Sequence, residues 1–241
     1  DSTTTDTETA DITEYDAIIA MGGDGILFEI FQGIHARSDS DTILSKMKFG
    51  IIPCGTFNGL SKSILHWSNV QYDVMESIFH VCKGHTSTLD IASYTLLSNT
   101  ATTTKAQPKS YMSFLSFAWG LIADCDYESE CLRWLGAIRS DIWAVYRGLL
   151  CRRNYRARFS YLPPSSNEAN AVAAGNCGGD GREPGEVVMP KLGEPLPDGW
   201  VSFEDDFIVF WVCNTSHAAH NMFTCPMAKM NDGLFHVLIV R

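Results

Sequence analysis

A unit that occurs twice constrains the fold of this chain most: an apolar run, a turn that contains glycine, and an amphipathic run. The first apolar run, 16–21, leads into the turn 22–25 (Gly-Gly-Asp-Gly), and the second, 48–53, leads into the turn 54–56 (Cys-Gly-Thr). Strand alternating with helix predicts a parallel sheet covered by helices. The two turns should then lie at the carboxyl ends of strands, where open α/β sheets bind ligands.

The first turn is suited to hold phosphate. Glycine allows positive φ and close backbone approach, and the N–H groups at a helix start point toward an anion. Asp24 lies inside this turn, and Glu29 follows in the helix that the turn opens. A carboxylate beside phosphate is repelled unless it holds a metal ion or accepts a proton from an attacking hydroxyl, so Asp24 indicates phosphoryl transfer. The alternative is a tight turn in which Asp24 caps the helix.

The pattern of apolar residues changes after about residue 84. Before it, strands are predicted at 16–21 and 48–53, and helices at 26–37, 57–66 and 73–83. After it, strand-like runs are predicted at 86–97, 111–122, 156–162, 206–213 and 234–240, with one long helix at 127–150 whose apolar face should be core. The fold prediction is an N-terminal α/β domain with a parallel sheet, followed by a mostly antiparallel β-sandwich domain that carries one long helix.

Three stretches are expected to lack regular structure. Residues 1–14 are rich in Thr and Asp and are predicted to be a disordered lead, while 163–200 is predicted to be a long disordered insertion and 98–109 a second, shorter one. The domain prediction is therefore an α/β unit at 15–85 and a β-rich unit at 86–241.

Net charge and composition exclude some classes of binding partner. The net charge is -10, from 18 Lys plus Arg against 28 Asp plus Glu, which argues against nucleic acid. No apolar run reaches the roughly 18 residues of a membrane-spanning helix. Eight scattered cysteines fit a reducing cytosol. One group, Cys213, His217, His220 and Cys225, offers four soft ligands, although its spacing matches no common zinc site.

Four carboxylates, Asp124, Asp126, Glu128 and Glu130, follow the apolar run that ends near residue 122. If a helix starts near Asp126, then Asp126, Glu130 and Arg133 share one face. A carboxylate pair at the mouth of an apolar pocket would suit an amphiphile with a cationic head. The alternative is a solvated acidic first turn with an ordinary ion pair between Glu130 and Arg133.

The two glycine turns together resemble those of the lipid kinases, which include diacylglycerol, ceramide and sphingosine kinases. The run 116–130 (SFAWGLIADCDYESE), the following Leu-Arg-Trp-Leu-Gly and the stretch 155–163 (YRARFSYLP) are similar specifically to sphingosine kinase. The match continues at 203–207 and 222–227 and covers nearly the whole chain outside the three unstructured stretches. The resemblance implies ATP-dependent phosphorylation of the primary hydroxyl of a sphingoid base, with ceramide or diacylglycerol kinase, or a non-catalytic lipid-binding fragment, as alternatives.

The resemblance also implies roles for individual residues. In that family the nucleotide-binding α/β domain is phosphofructokinase-like, and the β-rich domain binds the lipid substrate. The resemblance implies that Asp24 is the catalytic base or helps hold Mg²⁺, and that Glu29 supports Asp24 or the metal. ATP would be bound by Gly22, Gly23, Gly25, Gly55, Thr56, Asn58, Arg133 and Arg139. The sphingoid base would be bound by Asp126 at its amine and hydroxyl, by Ser116 at the head group, and by Leu121 and Ile122. Arg139 can join Arg133 at the nucleotide only if the helix bends near Gly136.

The resemblance implies a cytoplasmic protein with transient membrane contact, because the substrate is dissolved in a membrane. It also implies an Asn-Pro and glycine-rich strand before the first turn and an Asp-Gly-Glu motif late in the chain, and neither occurs in this sequence. We therefore expect a fragment that binds ATP weakly, shows little kinase activity when expressed alone and tends to aggregate.

Overall fold

The computed structural model describes residues 12–97, 109–136, 138–164, 190 and 194–241, without the side chain of Arg133. The helices are α1 (Asp24–His35), α2 (Ser40–Lys46), α3 (Gly59–Trp67), α4 (Val74–Lys83), α5 (Leu121–Glu128) and α6 (Ile138–Val145). The strands are β1 (Ala17–Gly22), β2 (Lys48–Pro53), β3 (Ala92–Leu96), β4 (Lys109–Ser113), β5 (Ser116–Gly120), β6 (Tyr155–Tyr161), β7 (Val201–Phe207), β8 (Val209–Cys213), β9 (His217–Ala219), β10 (Met222–Phe223) and β11 (His236–Val240).

The first half has the predicted strand and helix alternation. Strands β1 and β2 pair in parallel, in a register that sets Gly22 opposite Pro53. The helices that follow them, α1 and α3, start within two residues of the predicted positions. Because parallel strands end at the same edge, this register brings both glycine turns together, as the sequence predicts.

The core of the first half forms on one face of α1. Leu27, Phe31 and Ile34 recur at helical spacing and are each at most 3% exposed. The ring of Phe31 packs edge to face against Phe49 of β2, at 4.9 Å between centroids, and against Phe114, at 5.4 Å. Phe114 comes from the predicted second domain, so the α/β half shares its core with the β-rich half.

The described part of the second half pairs its strands antiparallel, as predicted. Strands β5, β8 and β11 form a three-stranded sheet with β8 at the centre, while β3 pairs with β4, β6 with β7, and β9 with β10. The run predicted as one strand at 111–122 is split into β4 and β5. A two-sheet sandwich stays a prediction.

The single long helix predicted at 127–150 is wrong. Helix α5 starts earlier, at Leu121, because Gly120 turns the chain at φ 80° and a Cβ there would lie 2.4 Å from the carbonyl oxygen of Ile208. The chain then tightens into a 3₁₀ segment at Ser129–Leu135, breaks at Gly136, where φ is 66°, and continues as α6 and a π-helical turn at Tyr146–Leu150.

The prediction that this region buries its apolar face is also wrong. No residue of α6 is buried, and Ile138, Ile142, Val145 and Leu149 are 44–79% exposed. Helical spacing identifies an apolar face but not what covers it. Within the described part of the chain this face is uncovered.

Most of the predicted unstructured stretches lie outside the described residues. The residues of these stretches that the structure does not describe are 1–11, 98–108, 165–189 and 191–193. Residues Ile12–Glu14 of the lead form a 3₁₀ turn, and Ile12 packs against the α1 core. No helix in the described ranges is both long enough and apolar enough to cross a membrane.

Candidate active site

The two glycine turns touch each other. A Cβ added to Gly55 would lie 2.4 Å from the Cα of Gly23, a distance at which no side chain fits. The N–H of Cys54 donates a hydrogen bond to the carbonyl oxygen of Gly22 at 3.0 Å. The predicted phosphate turns therefore form one surface rather than two separate sites.

Asn58 shapes the second turn. Its backbone is left-handed, with φ 52° and ψ 45°, which asparagine tolerates better than most residues. Its side-chain oxygen accepts a hydrogen bond from the N–H of Gly55 at 3.0 Å, and its amide donates to the carbonyl oxygen of Gly55 at 2.6 Å. Asn58 is 4% exposed, so its side chain organises the turn from within the fold.

Asp24 joins the two turns. It is the first residue of α1, yet its carboxylate accepts hydrogen bonds from the N–H groups of Gly59, at 2.7 Å, and Leu60, at 3.1 Å. The alternative that Asp24 caps its own helix is wrong, since it caps α3 instead. Burial raises the pKa of this carboxyl above its ordinary value, and the hydrogen bonds from Gly59 and Leu60 oppose the rise. A carboxylate held in place with a raised pKa is suited to accept a proton.

The other predicted residues of the turns lie at the surface. Glu29, Gly25 and Thr56 are exposed, and a Cβ added to Gly25 would meet no atom within 4 Å. Glu29 makes no hydrogen bond to Asp24 in the described part of the chain. Support of Asp24 by Glu29 therefore stays a prediction.

A segment of the second half supports the turn at 54–58, and sequence reasoning missed it. Asn58 forms an isolated antiparallel bridge with Ala219, and the N–H of His220 donates to the carbonyl oxygen of Phe57. A Cβ added to Gly59 would lie 2.7 Å from the carbonyl oxygen of Ala218. The sequence offered one signal, the polar run 214–217 after an apolar strand, which the structure shows to be buried.

His217 lies at the centre of this support. Its N–H donates to the hydroxyl of Ser63 at 3.1 Å, its Nδ1 lies 2.9 Å from the hydroxyl of Ser216, and its ring stacks on Phe223. Burial lowers its pKa to about 4, helped by the nearby charges of His66 and Lys62. The zinc alternative finds no support, because the described residues contain no group of three or more His, Cys, Asp or Glu able to hold a metal ion.

The predicted lipid residues lie on two adjoining elements. Leu121 and Ile122 begin α5 and pack against the cluster around Trp211. Ser116 of β5 lines a cleft of about 270 Å³ together with Phe28 of α1. Its other walls are Tyr94, Leu96, Tyr111, Ser113 and Phe117. This mostly apolar cleft, which was not predicted, borders the helix that Asp24 begins.

The carboxylates of α5, those of Asp124, Asp126 and Glu128, divide into two groups. Asp124 and Glu128 are bound by Arg147, whereas Asp126 is exposed and its carboxylate has no partner among the described residues. Binding of a cation by Asp126, which the resemblance implies, stays a prediction.

The predicted shared face of Asp126, Glu130 and Arg133 assumed a regular helix and does not apply, because Glu130 lies in the 3₁₀ segment. Glu130 forms an ion pair with Arg139, which the bend at Gly136 brings back toward α5. The side chain of Arg133 lies outside the described part. Binding of ATP by Arg133 and Arg139 stays a prediction.

Comparison with known proteins agrees with these features. Residues 2–94 match the family described as the diacylglycerol kinase catalytic domain. The chain is 32% identical to sphingosine kinase 2 of Arabidopsis thaliana, over 96% of this chain and 46% of the relative, and 31% identical to sphingosine kinase 1 of Homo sapiens, over 96% and 58%. A diacylglycerol kinase structure from Bacillus anthracis str. Sterne shares the fold, with a TM-score of 0.53, 16% identity and coverage of 95% of this chain and 55% of that one. The chain spans about half the length of the curated relatives that it matches.

Proposed function

From the homology of this chain to sphingosine kinases, we propose that it is the core of an ATP-dependent lipid kinase that phosphorylates the primary hydroxyl of a sphingoid base such as sphingosine. One observation supports the kinase chemistry most: Asp24 sits where two touching glycine turns meet, with its carboxylate fixed by the N–H groups of Gly59 and Leu60. Glycine backbone binds phosphate, and the fixed carboxylate is the proton acceptor beside it.

The proposed chemistry is a direct phosphoryl transfer. The turns at 22–25 and 54–56 bind the ATP phosphates through those backbone N–H groups that are not already bonded within the fold, as the N–H of Gly55 is to Asn58. The hydroxyl oxygen of the lipid attacks the γ-phosphorus, its proton passes to the Asp24 carboxylate, and ADP leaves with the electron pair of the broken P–O bond. The raised pKa of Asp24 makes it a stronger base than an exposed aspartate.

A resident Mg²⁺ site formed by protein ligands does not fit the described residues. They contain no group of three or more His, Cys, Asp or Glu that could hold a metal ion. Mg²⁺ commonly binds through substrate phosphates with one or two carboxylates. We therefore assign Mg²⁺ to the substrate, as MgATP.

Lipid recognition is proposed for the β-rich half. The unpaired carboxylate of Asp126 would bind the ammonium group of the sphingoid base, and Ser116 would bind a head-group hydroxyl from the wall of the apolar cleft. Leu121 and Ile122 would contact the hydrocarbon chain. A neutral head group would gain much less from Asp126, which favours a sphingoid base over ceramide or diacylglycerol.

We also propose a cytoplasmic protein that binds membranes peripherally. The uncovered apolar side chains of 138–150 offer a surface for the membrane in which the substrate is dissolved. The described cysteines are all free thiols, which fits a reducing compartment. Leu149→Ser should reduce co-flotation with phosphatidylcholine vesicles, whereas Phe79→Ser, on exposed α4, should not. Equal flotation of both variants would contradict this surface.

Transfer of radiolabelled phosphate from ATP to sphingosine, ceramide and diacylglycerol tests the substrate. Preferential labelling of sphingosine is expected. Preferential labelling of diacylglycerol would favour the second candidate function, a diacylglycerol kinase. The match of residues 2–94 to the diacylglycerol kinase catalytic domain supports that candidate. No labelling of any lipid, with lipid binding retained, would indicate a lipid-binding role alone.

A further inference from the structure

A buried arginine holds together a region whose apolar side chains are exposed. Arg147 is 2% exposed, although it lies in the π-helical turn beside Val145 and Leu149, which are 60% and 79% exposed. Since no residue of α6 is buried, apolar burial contributes little to holding this segment in place. Its attachment must therefore come mainly from polar contacts.

The contacts of Arg147 converge on α5. Its guanidinium donates to the carboxylate of Asp124, and its Nε lies 3.0 Å from Oε2 of Glu128. These two carboxylates are one helical turn apart and lie on the same face. A third contact, from Nη1 to the carbonyl oxygen of Cys151 at 2.8 Å, fixes the end of the turn.

Two neighbouring side chains complete the cluster. The hydroxyl of Tyr155 donates to Asp124 at 2.6 Å, and the indole N–H of Trp143 donates to Glu128 at 3.0 Å. Strand β6 and helix α6 are thereby tied to the same two carboxylates as Arg147. Removing one partner of this partly buried cluster leaves the others without compensation, most of all the buried Arg147, which makes the cluster cooperative.

We propose that Arg147 is a positioning residue that fastens the segment 138–150 to α5 and so fixes the direction in which α5 presents Asp126. Asp126 lies between the two clamped carboxylates in sequence and is exposed. Helix α5 has only eight residues, too few to hold its shape without tertiary contacts. The consequence for Asp126 rests on the proposed function, in which this carboxylate binds the ammonium group of the lipid.

Arg147→Met removes the charge and keeps much of the volume. Arg153→Met is the matched control, because Arg153 also pairs with Glu128, at 3.1 Å, but from a side chain that is 57% exposed. Hydrogen–deuterium exchange of the full chain should become at least about tenfold faster at 121–128 and 138–150 in Arg147→Met. Exchange in β8 should stay unchanged, and Arg153→Met should match the unsubstituted chain.

The second measurement is steady-state kinetics with sphingosine and MgATP, made on this chain extended to the length of its curated relatives. Arg147→Met should raise the KM for sphingosine at least about tenfold, the equivalent of one lost charge-assisted hydrogen bond, and leave kcat and the KM for ATP within about twofold. Arg147→Lys, which keeps the charge but not the forked geometry, should recover part of the loss. If Arg147→Met does not fold, Glu128→Gln loosens the same cluster from the other side.

Each outcome decides the proposal. Unchanged exchange at 121–128 and 138–150 would overturn the fastening role. Faster exchange with an unchanged KM for sphingosine would overturn the effect on Asp126. If the unsubstituted protein does not phosphorylate sphingosine, the proposed function fails, and the exchange data alone still decide whether Arg147 fastens the segment.

Discussion

Asp24→Asn separates the chemical role of this residue from its structural one. The carboxylate accepts two backbone N–H groups at the start of α3. The asparagine side chain has one acceptor oxygen, so one of the two N–H groups would face an NH₂ group. Loss of one charge-assisted hydrogen bond costs about 1.5–3 kcal/mol. We therefore expect a loss of about 2 kcal/mol in stability, or about 4–8 °C in Tm for a chain of this size.

The effect on turnover should be larger than the effect on stability. Removing a proton acceptor lowers the rate by about 10²-fold or more. Turnover is measured with sphingosine and MgATP well below the Tm of the variant, and circular dichroism verifies that the variant is folded. Because burial raises the pKa of Asp24, the rate of the unsubstituted protein should fall as the pH decreases through that raised value. The variant should lack this acid limb.

Asp73→Asn is the matched control. Asp73 caps α4, where its carboxylate accepts a single N–H, from Met75 at 2.7 Å, and an asparagine can keep that bond. The control should change stability by less than about 0.5 kcal/mol and should not change turnover. If Asp24→Asn loses stability but keeps turnover within about threefold of normal, Asp24 is only a helix cap and the proposed chemistry is mistaken.

Three further predictions test other parts of the site. Gly55→Ala should weaken ATP binding and destabilise the fold by about 1–3 kcal/mol through its clash with Gly23. The control Gly33→Ala, whose added methyl group meets no atom within 4 Å, should stabilise the fold slightly. Equal ATP affinities of the two variants by calorimetric titration would contradict the touching turns. Asp126→Ala should raise the KM for sphingosine about 10- to 100-fold and leave that for ATP unchanged, and an unchanged sphingosine KM would move the lipid site elsewhere. His217 stays neutral in the folded protein down to about pH 4 but protonates near pH 6.5 when unfolded, so the free energy of unfolding should fall by about 3 kcal/mol as the pH decreases across that range. His217→Gln should flatten this part of the plot of unfolding free energy, from urea denaturation, against pH. An unaltered plot would refute the buried state of the ring.

Local patterns predicted the first half well. Strand β2 occupies the predicted residues, β1 is displaced by one residue, and α1 starts two residues earlier than predicted. These segments carry local signals, an apolar run followed by glycine, which act over a few residues. The parallel pairing that the alternation predicts also places both turns at the same edge of the sheet, whereas their contact is seen only in the structure.

The second half could not be read from local patterns. The apolar run before Asp124 reads as one strand, but Gly120 turns it into a helix because only glycine fits against Ile208, about 90 residues away in sequence. Support of Asn58 by Ala219 likewise depends on a partner that no local pattern indicates. Tertiary contacts, rather than intrinsic preferences, decide these features.

The bridge between Asn58 and Ala219 also bears on how the chain acquires its nucleotide site during synthesis. The partners of the turn at 54–58 are 161 and 163 residues further along the chain, at Ala219 and His220. A ribosome that has completed only the α/β half has therefore made both glycine turns and their mutual contacts, but not the backbone of residues 219–220 that also braces the second turn. Since contacts of such long sequence separation form late and slowly, the proposed phosphate-binding geometry is completed late in folding.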